Sequence, residues 1–74
     1  MSKLPVISGK DAVKTLNKIG YEFDHQKGSH IILRQVFSPF RRLTIPNHKE
    51  IARGTLKSII KQAGLSIDEF IKLI

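Results

Sequence analysis

The chain lacks cysteine and any apolar stretch long enough to cross a membrane. None of its 74 residues is cysteine, which excludes disulfide scaffolds and thiolate metal sites and is compatible with a reducing cytoplasm. No segment approaches the roughly 20 apolar residues of a transmembrane helix. The start, MSKLPVISG, has no apolar run of the kind found in a signal peptide. We therefore expect a cytoplasmic protein that makes no contact with a membrane.

Acidic residues are also scarce. Six Asp and Glu stand against thirteen Lys and Arg, which gives a net charge of +7 at pH 7. A basic balance of this size is expected of a protein that meets polyanions, with nucleic acid as the first candidate. Charge alone leaves other functions open, because small basic domains also use it for solubility or for docking on an acidic protein.

The length predicts a single domain over residues 1–74, since domains run from roughly 50 to 250 residues. A chain this small buries only about 60% of the surface of its unfolded state, so no large internal pocket for a cofactor is expected. The three histidines form no H-x-H or H-x-x-x-H pair, and carboxylates are few, so no metal site is expected. Any chemistry must take place on an open surface.

Apolar residues at helical spacing predict three helices. The first covers residues 9–19. Thr55 is predicted to cap the second, which Gly64 closes, and Ser66 with Glu69 forms a capping box that opens a short third helix. Three segments between the first two helices, residues 21–25, 30–35 and 41–45, alternate apolar and polar residues as half-buried strands do.

The predicted fold is therefore α+β, with the order α-β-β-β-α-α. Short connections favour a three-stranded antiparallel sheet, with helices covering one face and solvent on the other. The residues predicted to face the helices are Tyr21, Phe23, Ile31, Leu33, Leu43 and Ile45. Those predicted to face solvent are Glu22, Asp24, His30, Ile32, Arg34, Arg42 and Thr44. A bulge after Gly28 would reverse this assignment.

Three stretches resemble the HicA family of bacterial toxins: KGSHIILR, LTIPNH and GTLKSIIKQAGLSIDEFIKLI. The resemblance extends from SGKDAVKTLNKIGY through the C-terminal residues. It implies a double-stranded-RNA-binding-like fold with an extra short C-terminal helix. It also implies ribosome-independent cleavage of mRNA by a single catalytic histidine, here His30, and inhibition by a HicB-like antitoxin that covers the His30 face.

The resemblance also carries over to individual positions. Gly28 and Ser29 match the turn of the family and are expected to position the catalytic histidine. The Pro-x-His motif that ends in His48 is similar to a recurrent family feature. The segment Val36–Phe40 departs from the family because it is more apolar than expected, and an antitoxin contact is one interpretation of it.

Ribonuclease chemistry without a metal needs a base for the ribose 2′-hydroxyl, an acid for the leaving 5′-oxygen, and cations near phosphorus. Histidine suits the first two roles because its ordinary pKa of about 6.5 lies near neutral pH. The candidates for phosphate binding are Lys27, Arg34, Arg42 and His48. His30 can fill one of the two proton-transfer roles, and either His48 or His25 could fill the other. His25 has the parity of the helix-covered face and is interpreted as structural.

Two other functions remain possible at this point. One is an RNA-binding module of the same fold that does not cleave, and the sequence argues modestly against it. The lysine cluster usual at the second main helix of double-stranded-RNA-binding domains is represented only by Arg53 and Lys57. The other is a protein-interaction subunit whose basic surface docks an acidic partner.

Overall fold

The computed structural model describes residues 3–74 and has the predicted α+β architecture. Its three strands form one antiparallel sheet with the spatial order β1-β2-β3. Residues 1 and 2 of the predicted domain lie outside the described range, and no helix within residues 3–74 is long and apolar enough to cross a membrane. The elements are α1 Gly9–Asn17, β1 Tyr21–Lys27, β2 His30–Gln35, β3 Arg42–Pro46, α2 Arg53–Gln62 and α3 Ile67–Leu73.

Two of the three helices, α1 and α3, begin at a serine whose side chain caps the helix. The Ser66 hydroxyl accepts from the Glu69 N–H at 3.1 Å, and the Glu69 carboxylate accepts from the Ser66 N–H at 2.8 Å, so the predicted capping box is confirmed. The prediction that Thr55 caps α2 is wrong. Ala52 is the N-cap, without a side-chain cap, because the chain is anchored just before it by buried Ile51, whose N–H donates to the Ile7 carbonyl.

A single cluster of buried residues lies between the helices and one face of the sheet. The prediction for the core face is confirmed for the buried strand residues Tyr21, Ile31, Leu33, Leu43 and Ile45. For Phe23 the facing is as predicted but the burial is not, because its side chain is 56% exposed. Phe23 lies opposite Leu33 on the edge strand, where the helices do not cover its ring.

A bulge in β1 changes the facing of its second half. Phe23 pairs with Leu33, but the register then shifts, so that His25 pairs with Ile32 and Lys27 with His30. The bulge lies at Asp24 and not after Gly28, so β2 keeps its predicted parity. Partners directly opposite each other share a face. His25 therefore lies on the open face with its side chain 57% exposed, and its assignment to the helix-covered face is wrong.

Candidate active site

His30 lies on the open face, at the first position of β2. Gly28 in the preceding turn has φ +59°, a left-handed conformation that glycine adopts without the strain other residues incur. This turn places Lys27 opposite His30 on β1, while Pro46 lies opposite it on β3. The His30 side chain is exposed, so a ligand on the open face meets an imidazole with a cation beside it.

His30 and His48 line one pocket. The segment after β3 is fixed by two backbone hydrogen bonds: the Asn47 N–H donates to the Ser29 carbonyl at 2.7 Å, and the Gly9 N–H donates to the His48 carbonyl at 2.9 Å. These bonds hold His48 beside the turn that precedes His30. The pocket, of about 360 Å³, is lined by His30, Thr44, Pro46, His48, Ala52 and Thr55.

The rim of this pocket favours an anion. Ala52 and Thr55 belong to the start of α2, which has no side-chain cap and no acidic residue in its first turn. The backbone N–H groups at such a helix start carry partial positive charge. A neighbouring pocket of about 320 Å³ is also lined by His48 and adds the cations Lys10 and Lys49. Phosphate oxygens would therefore find donors on this side of His30.

The two arginines predicted for the open face form a separate cluster. Arg34 lies opposite Arg42, and Asp24 lies between their charges: its carboxylate is 2.8 Å from the Arg42 guanidinium and 3.9 Å from that of Arg34. Hydrogen bonds from His25 and Arg42 hold the pKa of Asp24 below its ordinary value. At about 3.3 Å per residue, Arg34 is about 13 Å along β2 from His30. The arginines do not touch the pocket.

The predicted site residues thus divide into two groups on one face. Lys27 and His48 lie beside His30, whereas Arg34 and Arg42 lie further along the sheet. Thr55 lines the pocket, although the sequence predicted it as a helix cap, and His25 lies on the open face, although its parity predicted the opposite face. Residues 3–74 contain no cluster of three or more His, Cys, Asp or Glu able to hold a metal ion.

Geometrically, the site offers two imidazoles and several cations around a space open to solvent. Such an arrangement can transfer protons and neutralise the charge of a phosphodiester. An open site also admits a polymer, which a closed cavity would exclude.

The chain matches a known protein family. A family model described as HicA toxin of bacterial toxin-antitoxin matches residues 9–65. The matched range contains α1, α2 and the whole sheet, together with both histidines of the pocket. No curated protein sequence matches the chain.

Proposed function

Since the chain belongs to the HicA family of toxins from bacterial toxin-antitoxin systems, we propose that it is a ribosome-independent mRNA endoribonuclease with His30 as its catalytic base. Toxins of this family are generally of the ribonuclease type. The observation that carries the proposal is the position of His30, exposed beside Lys27 and sharing a pocket with His48. We further propose that the enzyme acts in the cytoplasm, where mRNA is found.

In the proposed reaction, the His30 imidazole accepts the proton of a ribose 2′-hydroxyl while the oxygen attacks the adjacent phosphorus. A base with an ordinary pKa near neutrality contributes typically 10²–10⁴-fold to such a step. The ammonium of Lys27 stabilises the charge that builds on the phosphate oxygens. Gly28 and Ser29 act indirectly, because their turn sets where the imidazole stands.

We propose that the remaining candidates for phosphate binding contact the RNA on both sides of the cleaved bond. His48 and the start of α2 contact the reacting or adjacent phosphate. Arg34 and Arg42 contact a phosphate further along the strand, since they share the open face but lie about 13 Å away at ~3.3 Å per residue. Phosphate contacts of this kind position a nucleic acid without reading its sequence.

Membership in a toxin-antitoxin family implies an antitoxin partner. We propose that this partner is HicB-like and silences the toxin by covering the open face with His30. The net charge of +7 favours an acidic partner surface. The loop between β2 and β3 offers an apolar contact at the other end of the sheet, since Phe37 is 48% and Phe40 65% exposed.

Induction of the protein in a bacterial host tests the proposal. Wild type should arrest growth and fragment mRNA, and His30→Ala should do neither, with its fold checked by circular dichroism. Lys61→Ala, which removes an exposed charge in the last turn of α2, serves as a control and should behave like wild type. Equal RNA binding by wild type and His30→Ala without cleavage by either would instead identify a non-catalytic RNA-binding module.

A further inference from the structure

The bulge at Asp24 places another imidazole, that of His25, on the same face as His30. If the register of Tyr21 with Gln35 continued unbroken, His25 would lie opposite Ile31, which is buried under the helices. The shift instead places His25 opposite Ile32, on the open face. His30 precedes Ile32 by two positions on the same face, so the two histidines are diagonal neighbours, with Cα atoms about 7–8 Å apart.

His25 is held in one orientation by a carboxylate. Its Nδ1 lies 2.8 Å from Asp24 Oδ2, and the same oxygen accepts from the Arg42 guanidinium at 2.8 Å. Asp24 is ionised near neutral pH, since its ordinary pKa is 3.8 and these two hydrogen bonds lower it further. An ionised carboxylate can only accept, so the proton of this contact belongs to Nδ1. This leaves Nε2 of His25 directed away from Asp24 and available to a substrate.

His48 shares the pocket with His30 but lacks this support. It is positioned through its backbone carbonyl, and within residues 3–74 His25 is the histidine that forms a close contact with a carboxylate. The charged groups that face His25 are Asp24 and Lys27 on its own strand, His30 and Arg34 on β2, and Arg42 on β3.

We propose that His25 is the general acid of the reaction, donating a proton from Nε2 to the leaving 5′-oxygen while His30 acts as the base. This inference rests on the proposed ribonuclease function. The 2′-oxygen forms a bond to phosphorus as its proton passes to His30, and the bond from phosphorus to the 5′-oxygen breaks as His25 supplies a proton to that oxygen. The products are a 2′,3′-cyclic phosphate and a 5′-hydroxyl, with no change in the total number of protons.

A substrate that needs no acid provides the test. Once the cleaved bond of an RNA has been mapped, an oligoribonucleotide with sulfur in place of the 5′-oxygen at that bond is prepared. A thiol, with an ordinary pKa near 8.5, leaves as the thiolate without protonation. Cleavage rates of the oxygen and sulfur substrates are then compared for wild type and for His25→Gln, His48→Gln and His30→Gln, with circular dichroism to confirm folding.

The expected result is a loss of about 10²–10⁴-fold for His25→Gln on the oxygen substrate and a rate close to wild type on the sulfur substrate. Equal losses on both substrates would make His25 a phosphate ligand and overturn the proposal. Rescue by sulfur in His48→Gln but not in His25→Gln would transfer the role of acid to His48. If His30→Gln cleaved both substrates at the wild-type rate, the ribonuclease mechanism itself would be wrong, which is a separate failure.

Discussion

Two glycine-to-alanine substitutions should differ in their effect on stability, because only one of them lies against the segment that carries His48. A Cβ at Gly9 would stand 2.1 Å from the Pro46 carbonyl oxygen and 3.0 Å from Asn47 Cα. Both are backbone atoms, and the Gly9 N–H holds this segment through the His48 carbonyl at 2.9 Å. A Cβ at Gly54, near the start of α2, would meet nothing within 4 Å.

The magnitudes follow from these contacts. Overpacking against a fixed neighbour costs about 1–3 kcal/mol, and weakening the hydrogen bond to His48 costs about 1 kcal/mol more. Alanine regains at most about 1 kcal/mol of helix propensity over glycine. Gly9→Ala should therefore lower the free energy of unfolding by about 1–3 kcal/mol. Gly54→Ala should leave it unchanged or raise it by up to about 1 kcal/mol.

Urea denaturation followed by circular dichroism measures both free energies on the same scale. Gly9→Ala should also shift the backbone amide resonances of residues 46–48 in NMR spectra, while Gly54→Ala should leave them in place. If Gly9→Ala is as stable as wild type and residues 46–48 do not respond, the close approach of α1 to the pocket segment is not as described.

Three further predictions concern the core, the cap of α3 and the stability of the fold at acidic pH. Phe23→Ser should lower the free energy of unfolding by about 1 kcal/mol at most, and Leu33→Ala by about 2–5 kcal/mol. Equal losses in urea titrations would mean that Phe23 is buried in the core. Ser66→Ala should lower it by about 1 kcal/mol through loss of the cap, and an unchanged urea midpoint would refute this. Asp24 and Glu69 have lowered pKa values in the folded chain. In acid, the folded chain therefore binds fewer protons than the unfolded chain. The stabilisation by these two carboxylates is complete above their ordinary pKa values of 3.8 and 4.5 and is lost as the pH falls through the lowered values. Below pH ~4.5, the urea midpoint of wild type should therefore fall more steeply than that of the double variant Asp24→Asn/Glu69→Gln.

The sheet was largely predictable because two of its strands alternate without interruption. β2 and β3 keep a period of two from end to end, so the facing of Leu33, Leu43 and Ile45 followed from the sequence alone. β1 could not be predicted in this way. The segment Tyr21–His25 also alternates, and nothing in it distinguishes Asp24 as an extra residue, since no glycine marks the bulge.

The partners of Asp24 explain why local pattern was insufficient there. Its carboxylate accepts from Arg42, which lies two strands away, and a contact of that range has no signature in a short window of sequence. The same holds for the pocket. His48 follows β3 in a segment without regular periodicity. That segment is held near His30 by two backbone bonds, from the Asn47 N–H to the Ser29 carbonyl and from the Gly9 N–H to the His48 carbonyl.

The most direct measurement of the central claim uses purified protein and a defined mRNA without ribosomes. Wild type, His30→Gln and Lys61→Ala are incubated with the RNA, and the ends of the fragments are analysed chemically. We expect wild type and Lys61→Ala to produce fragments that end in 2′,3′-cyclic phosphate and begin with 5′-hydroxyl, and folded His30→Gln to produce none. Cleavage by His30→Gln at the wild-type rate would contradict the account, as would fragments that begin with a 5′-phosphate.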